Sequence, residues 1–234
     1  MSGFTANELL KSLSNYPVRK GDVPGHPFHG NQYQEGSNGA SRVPNGIHTI
    51  NGKDVIIAPR ANLVGANLRR ANLYGVNLFE SDLGGANLRG ANLNDAHLTS
   101  ANLKGADLSG ADLRNAELNF ANLSGVSLTN ANLNYTVLHR ADLSGAELHG
   151  DNLTNAHLVG ANLRGASLSS ANLFNADLRG ADLTNANLSN AKLQRADLTN
   201  ANLNGANLTN AKGDEKTLLP PSHEVVNGFV VEKE

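Results

Sequence analysis

Eight histidines are the residues in this chain best suited to acid-base or metal chemistry near neutral pH, where imidazole both titrates and ligates. Their spacing works against either role. His97 and His157 hold equivalent places in a repeating pattern but stand sixty residues apart, about 14 Å at strand spacing, too far to share an ion. His26 and His29 are neighbours in a Gly- and Pro-rich segment that brings no carboxylate or cysteine beside them. Gly52-Lys53 is followed by Asp54 and lacks the upstream glycine of a phosphate-binding loop. Catalysis also needs a concave, partly desolvated site, and the pattern described next fills the interior with Leu and Ala. The sequence therefore predicts no catalytic residue, no metal site and no cofactor.

The element that positions every side chain is a five-residue unit. Leucine stands at every fifth position from Leu63 to Leu208, thirty times, without insertion or substitution. A period of five matches neither the 3.6 of a helix nor the 2 of a strand, so the chain must turn a corner in each unit. Residues 61–210 read as Ala-(Asn/Asp)-Leu-x-x, with Ala in 25 of 30 first positions and Asn or Asp in 22 of 30 second positions. Such a unit cannot bury its own Leu and must stack on copies of itself.

In this pattern the chain resembles the pentapeptide-repeat family. The resemblance implies an all-β fold, a right-handed, quadrilateral β-helix with four units per coil, Leu and Ala inward and the other three residues outward. Thirty units then make about 7.5 coils, a rod of roughly 35 Å at strand spacing. Four units per coil also predict a 20-residue recurrence, and glycine shows one. Gly65, Gly85, Gly105, Gly125, Gly145, Gly165 and Gly205 fill seven of eight fifth positions in one column, against six of twenty-two in the other three. Because Gly and Asn tolerate positive φ, that edge of the square is expected to carry a type II turn throughout.

The flanks differ in character. Thr5-Ala6-Asn7-Glu8 reads as a capping box ahead of Leu9, Leu10 and Leu13, which predicts a short helix over about residues 6–14. Residues 17–46 are rich in Gly, Pro, Asn and Ser and read as an extended arm, so residues 1–46 form an anchoring segment. Asn51-Gly52 between two apolar runs predicts a β-hairpin within residues 47–60, and Asn227-Gly228 predicts another within the C-terminal tail, residues 213–234. Both hairpins are expected to cap the repeat domain, residues 61–212, whose end strands would otherwise be unpaired. The C-terminal one, through Val225, Val226, Phe229, Val230 and Val231, is also a candidate surface for self-association.

With no cavity predicted, function must be written on the outward residues. Tyr74, Phe79, Phe120, Tyr135 and Phe174 are all the aromatics of the repeats, and all fall in the third or fourth unit of a coil counted from Ala61. Exposed apolar groups on a soluble protein mark contact surfaces, so these five and Phe229 are candidate partner-binding residues, unless a flanking segment packs on them. Two inward departures, Asp151 in place of Ala and the run Thr136-Val137-Leu138, are expected to be structural, Asp151 through hydrogen bonds to nearby backbone amides that bend the coil.

Some members of the family bind DNA gyrase by mimicking duplex DNA, which requires a dense negative field. Residues 61–212 hold eleven Lys or Arg and twelve Asp or Glu, so gyrase is kept as the alternative partner. A second, shorter resemblance lies in the arm. Gly25-His26-Pro27-Phe28-His29-Gly30-Asn31-Gln32-Tyr33 is similar to a motif that recurs in structural proteins of tailed bacteriophages and prophages. It implies a virion-associated protein, a capsid decoration or minor head component, with His26, Phe28, Asn31, Gln32 and Tyr33 docking the arm. The expected partners are then capsid or head proteins or a second copy, in the virion, with the bacterial cytoplasm as the alternative location. No apolar run reaches the length of a membrane span, and neither membrane nor direct nucleic-acid binding is expected.

Overall fold

A computed structural model describes residues 43–233. The helix expected over residues 6–14, the arm and the candidate residues His26, Phe28, Asn31, Gln32 and Tyr33 lie outside the described residues.

Each second-position residue from Asn62 to Lys192 makes a parallel bridge to the residue twenty further on, as in Asn62↔Asp82, Asn67↔Asn87, Asn72↔Asn92 and Asn77↔His97. Four sides therefore make one coil, and each side contributes a single bridging residue because the rest of its five residues form the turn. We number the sides from Ala61: side 1 holds 61–65, side 2 holds 66–70, side 3 holds 71–75, side 4 holds 76–80, and the same order repeats every twenty residues. The third-position N–H donates to the next coil's second-position carbonyl, as from Leu123 to Asp142 O at 2.6 Å, and the fifth-position N–H donates to the next fourth-position carbonyl.

Every corner turns in the same way. All fifth positions from 60 to 210 have φ between +54° and +71°, and the following first-position N–H returns to the Leu carbonyl, as from Ala66 to Leu63 O at 3.0 Å. With positive φ confined to the third residue of the turn, this is a type II turn. The turn expected along one edge is there, and the other three edges carry it as well. Space does not require glycine at six of the seven column positions, since a Cβ at Gly65, Gly85, Gly105, Gly125, Gly145 or Gly165 meets nothing within 4 Å, whereas one at Gly205 would collide with the Asn185 side chain. Eighteen of the corner residues are not glycine, and each holds a backbone region that costs an L-residue roughly 1–2 kcal/mol.

The preference for Asn and Asp at the second position has a local cause. In all 22 cases the side-chain Oδ1 accepts the N–H of the fourth-position residue two further on, at 2.9–3.4 Å. Neither ladder nor turn uses that amide, and a short side chain with an sp² oxygen reaches it where Glu or Gln overshoots. Several of these Asn also bond along the stack, as Asn92 Nδ2 to Asn72 Oδ1 at 3.1 Å and Asn102 Nδ2 to Asp82 Oδ1 at 2.8 Å.

Inside, the Leu and Ala columns are buried except at the end coils, where Ala66, Ala206 and Leu208 are half-buried, and among the described residues the core consists of these columns, a few replacements, and Ile57 and Val230 from the flanks. Ser81, Thr136 and Asp151 are the polar replacements. Ser81 Oγ bridges the Ala61 N–H and the Ala58 carbonyl, and Thr136 Oγ1 donates to Leu113 O at 2.9 Å. Asp151 Oδ1 accepts the Ala131 N–H at 2.9 Å, while Oδ2 is buried without a partner. Burial pushes its carboxyl up to about 8, against the opposing pull of the Ala131 and Asn130 amides.

Two antiparallel hairpins flank the rod, β1 (Gly46–Ile50) with β2 (Lys53–Ile57) and β3 (His223–Val226) with β4 (Phe229–Glu232). Asn51 and Gly52, like Asn227 and Gly228, both have positive φ, the two-residue turn that matches strand twist. Val43 and Asn51 serve the first coil: Val43 N–H donates to Tyr74 O, and Asn51 Nδ2 donates to Asn67 O and Arg69 O. Beyond Asn210 the chain holds the register on side 3 through Lys212, then slips by one residue, Asp197 bridging Leu218. Val230 is buried beneath the second hairpin, where its N–H donates to Ala211 O at 2.9 Å.

Candidate functional site on side 4

Capping of the fourth-position amide is not uniform around the square. Side 1 carries Asn or Asp at every second position, whereas side 4 reads Asn77, His97, Glu117, Val137, His157, Asp177, Asp197. Over four successive coils, from His97 to His157, the short acceptor is missing. The His139 N–H turns instead to Asn119 Oδ1 at 3.2 Å, and among the described residues the amides of Thr99, Asn119 and Val159 have no intramolecular acceptor. Side 2 departs from the pattern over three coils, at Ser127, Glu147 and Ser167, but its substitutes are polar and its corners carry no aromatic residue.

The same coils of side 4 hold the imidazoles and the apolar groups. His97 Nδ1 lies 3.0 Å from Glu117 Oε2, and the His139 and His157 rings are 5.9 Å apart between centroids. Val137 and Val159 are half-buried beside them. Phe120 and Tyr135 stand on the two edges of this side, each 52% exposed and each with φ of 59°. A bulky side chain in the left-handed region is uncommon and persists where something other than local preference holds it there. Toward the C-terminal end the side becomes ionic. Arg179 donates to Asp177 at 2.6 Å and 2.8 Å and lies 3.8 Å from Asp197. Burial alone would raise the Asp177 carboxyl, but the hydrogen bonds from Arg179 outweigh it and hold it below its ordinary value.

The remaining sequence-predicted residues divide. Tyr74 and Phe79 are half-buried, and their backbone carbonyls accept the N–H groups of Val43 and Arg60. Phe174 lies on side 3, with the Arg195 guanidinium 5.5 Å from its ring centroid. Phe229 is 40% exposed on β4, about the far end of the rod and not part of the side 4 surface. Only Phe120 and Tyr135 are thus brought together on one open surface, joined by His139, His157, Val137 and Val159, which aromatic type alone did not select. The signal for them was the interrupted Asn/Asp column.

Among the described residues, no three His, Cys, Asp or Glu converge as a metal site requires. A cleft of about 690 Å³ lies between the last half-coil and the β3–β4 hairpin, lined by Leu203, Leu208, His223, Phe229, Val230 and neighbouring residues. Burial pushes the His223 imidazole below its ordinary value, with Glu232 opposing.

Comparison with known families decides what kind of chain this is. The family model described as "Pentapeptide repeats" matches in eight copies over residues 59–95, 81–119, 91–130, 121–150, 152–185 and 181–212. The chain is a pentapeptide-repeat protein. Among solved pentapeptide-repeat structures it is similar to HetL of the cyanobacterium Nostoc sp. strain PCC 7120, involved in heterocyst differentiation regulation. The identity is 34% over 74% of this chain and 77% of HetL, with a TM-score of 0.59. QnrB1, a plasmid-mediated fluoroquinolone resistance protein, aligns at 23% identity over 66% of this chain and 90% of its own, with a TM-score of 0.45. Rfr23 of the cyanobacterium Cyanothece 51142 aligns at 39% identity over 44% of this chain and 63% of its own, with a TM-score of 0.22. No curated protein sequence matches this pentapeptide-repeat protein. The family and its solved members give the four-sided β-helix its right-handed sense.

Proposed function

We propose that this protein is a non-catalytic rod that binds a protein partner through side 4, at the coils between His97 and Val159. The observation that carries the reading is the pair Phe120 and Tyr135, half-exposed at strained corners on either edge of the one side that loses amide capping over four coils. Aromatic anchors beside unpaired backbone donors suit a surface that is completed by a partner. A pull-down with the double variant Phe120→Asn, Tyr135→Asn tests it, since Asn tolerates the left-handed corner. Loss of the captured partner with unchanged thermal unfolding is the expected result; full retention overturns the assignment of side 4.

The finer reading is a virion-associated protein, decorating a phage head or forming a minor part of it, anchored through residues 1–46. It rests on the Gly25–Tyr33 motif. Mass spectrometry of purified particles tests it, and absence of the chain from them rejects it. A gyrase-directed DNA mimic would instead need an uncompensated line of acids. Here Glu80, Asp107, Asp112, Asp177, Asp182 and Asp197 each lie within 4 Å of an arginine. A supercoiling assay separates the two readings: inhibition or quinolone protection at low micromolar protein would favour the mimic.

A further inference from the structure

We propose that the open C-terminal edge of the rod is a docking site for an extended segment of another polypeptide, which adds as the next two sides of the helix. This surface is distinct from side 4, and it stands whether or not side 4 binds a partner.

Throughout the rod each unit presents the same groups to the coil above it. Leu183 N–H donates to Asn202 O at 2.8 Å, Asn185 N–H donates to Asn204 O at 2.9 Å, and Asn202 N–H donates back to Ala181 O at 2.9 Å. On the last half-coil, residues 201–210, these groups have no partner. Among the described residues, nothing accepts from the N–H of Leu203, Gly205, Leu208 or Asn210, and nothing donates to the carbonyls of Ala201 and Ala206. On the other two sides Leu193 and Leu198 donate to Lys212 O and Leu218 O at 2.7 Å each, Arg195 N–H donates to Asp214 Oδ1, and only the Asn200 N–H is left without an acceptor among the described residues. The opening therefore lies mainly on sides 1 and 2.

The apolar floor stops at the same place. Leu208 and Ala206 are half-buried where their counterparts lower in the stack are fully covered. Beside them β3–β4 forms a wall, which leaves the cleft of about 690 Å³. Unpaired strand edges next to an apolar shelf are what β-augmentation uses: main-chain bonds hold the incoming strand and pockets choose its side chains.

The count of groups selects the occupant. Four donors face two acceptors, so the edge needs a strand that turns carbonyls toward it. Pairing this edge with that of a second copy would set N–H against N–H, and the opposite end of a second copy offers no match for side 2, because its Asn67 and Arg69 carbonyls are already held by the Asn51 side chain. The complement is a segment shaped like two pentapeptide units, with carbonyls at its second and fourth positions directed at the edge. Two apolar side chains five residues apart would stack on Leu203 and Leu208.

The test uses the full chain and a fluorescent peptide with the sequence of residues 181–190. Saturable binding is expected, with amide exchange at Leu203, Gly205, Leu208 and Asn210 slowed at least tenfold on addition of peptide. A control peptide with both leucines replaced by Asp should not bind. The Leu208→Arg variant, its fold checked by unchanged amide protection in residues 61–180, should weaken binding at least tenfold. The proposal is overturned if millimolar peptide protects none of the four amides. It is equally overturned if the protein alone doubles in mass with those amides already protected, because the occupant is then a second copy.

Discussion

The two ends of the rod leave different sides open. At the N-terminal end, side 2 has both outward carbonyls, Asn67 and Arg69, satisfied by the Asn51 side chain, and sides 3 and 4 have one each, Tyr74 and Phe79, satisfied by the N–H groups of Val43 and Arg60, whereas among the described residues nothing donates to the carbonyls of Asn62, Val64, Asn72 and Asn77. At the C-terminal end, Lys212 and Leu218 cover sides 3 and 4 except for the Asn200 N–H, and sides 1 and 2 leave six backbone groups unpaired among the described residues. Both ends carry an Asn-Gly hairpin, so the difference is not in the device but in where it lands. β1–β2 feeds directly into the first coil, whereas β3–β4 follows a slip of one residue and stands over one half of the last coil. Where a hairpin lands decides which side of the square it covers.

This comparison makes the ends the places where the rod frays, and the largest expected effect would break it by moving the weak point to the middle. Asp151 sits near mid-rod with one oxygen unpartnered. Its carboxyl is raised from 3.8 to about 8 in the fold, so between those values the folded state binds more protons than the unfolded state. The stability present below about pH 4 is therefore lost as pH rises toward 8. At about 1.4 kcal/mol per unit, the loss amounts to about 4 kcal/mol at pH 7. Asp151→Ala should recover most of it and flatten the dependence of urea midpoints on pH between 4 and 8. A wild-type midpoint that rises over that range would show that the carboxylate is solvated.

The second effect sharpens the comparison. Val230 is buried to 2% exposure beneath the C-terminal hairpin, and Val230→Asp places a charge there, which should cost about 3 kcal/mol. Amide exchange should accelerate over residues 191–212 and stay unchanged over residues 61–80. Uniform acceleration along the chain would mean that the ends do not fray separately. Smaller is Asn51→Ala, which uncovers the Asn67 and Arg69 carbonyls and should cost about 1 kcal/mol, read as faster exchange confined to the first coil. Smallest is Phe120→Gly, away from both ends. Its φ of 59° makes glycine the better local fit by up to about 1 kcal/mol, seen as a slightly higher melting temperature.

Most of the architecture could be read before any coordinates, because one side chain in five is forced into a narrow interior and leaves a period that nothing else produces. The corners were legible on one edge only, for a physical reason. Glycine enrichment reports where positive φ is cheapest, not where it occurs, and Arg70, Glu80, Phe120 and Tyr135 hold the same φ without it. The role of Asn and Asp was half legible: stacking is real, but the bond that recurs in all 22 units is to an amide two residues on, which composition alone does not reveal. The site was legible only as a list of aromatics. Which of them are covered depends on contacts from elsewhere in the chain, such as Arg195 over Phe174, and these contacts have no period. The C-terminal cleft left no trace in the sequence, because the repeats end on a unit as regular as any other.

The twenty-residue register has a further consequence, for how such a molecule can change length. Removing one whole coil outside the proposed binding surface, such as residues 161–180, joins like side to like side, so the rod shortens by about 4.8 Å and every surface column stays aligned. Removing a single unit between His97 and His139 preserves the core equally well, since Leu still follows Leu at five residues, but it turns everything beyond the cut by a quarter revolution. The imidazoles at 139 and 157 would then belong to a different side from His97. A lineage of such rods can therefore lengthen or shorten in steps of twenty without losing a binding surface. In steps of five it keeps its fold and scrambles its message.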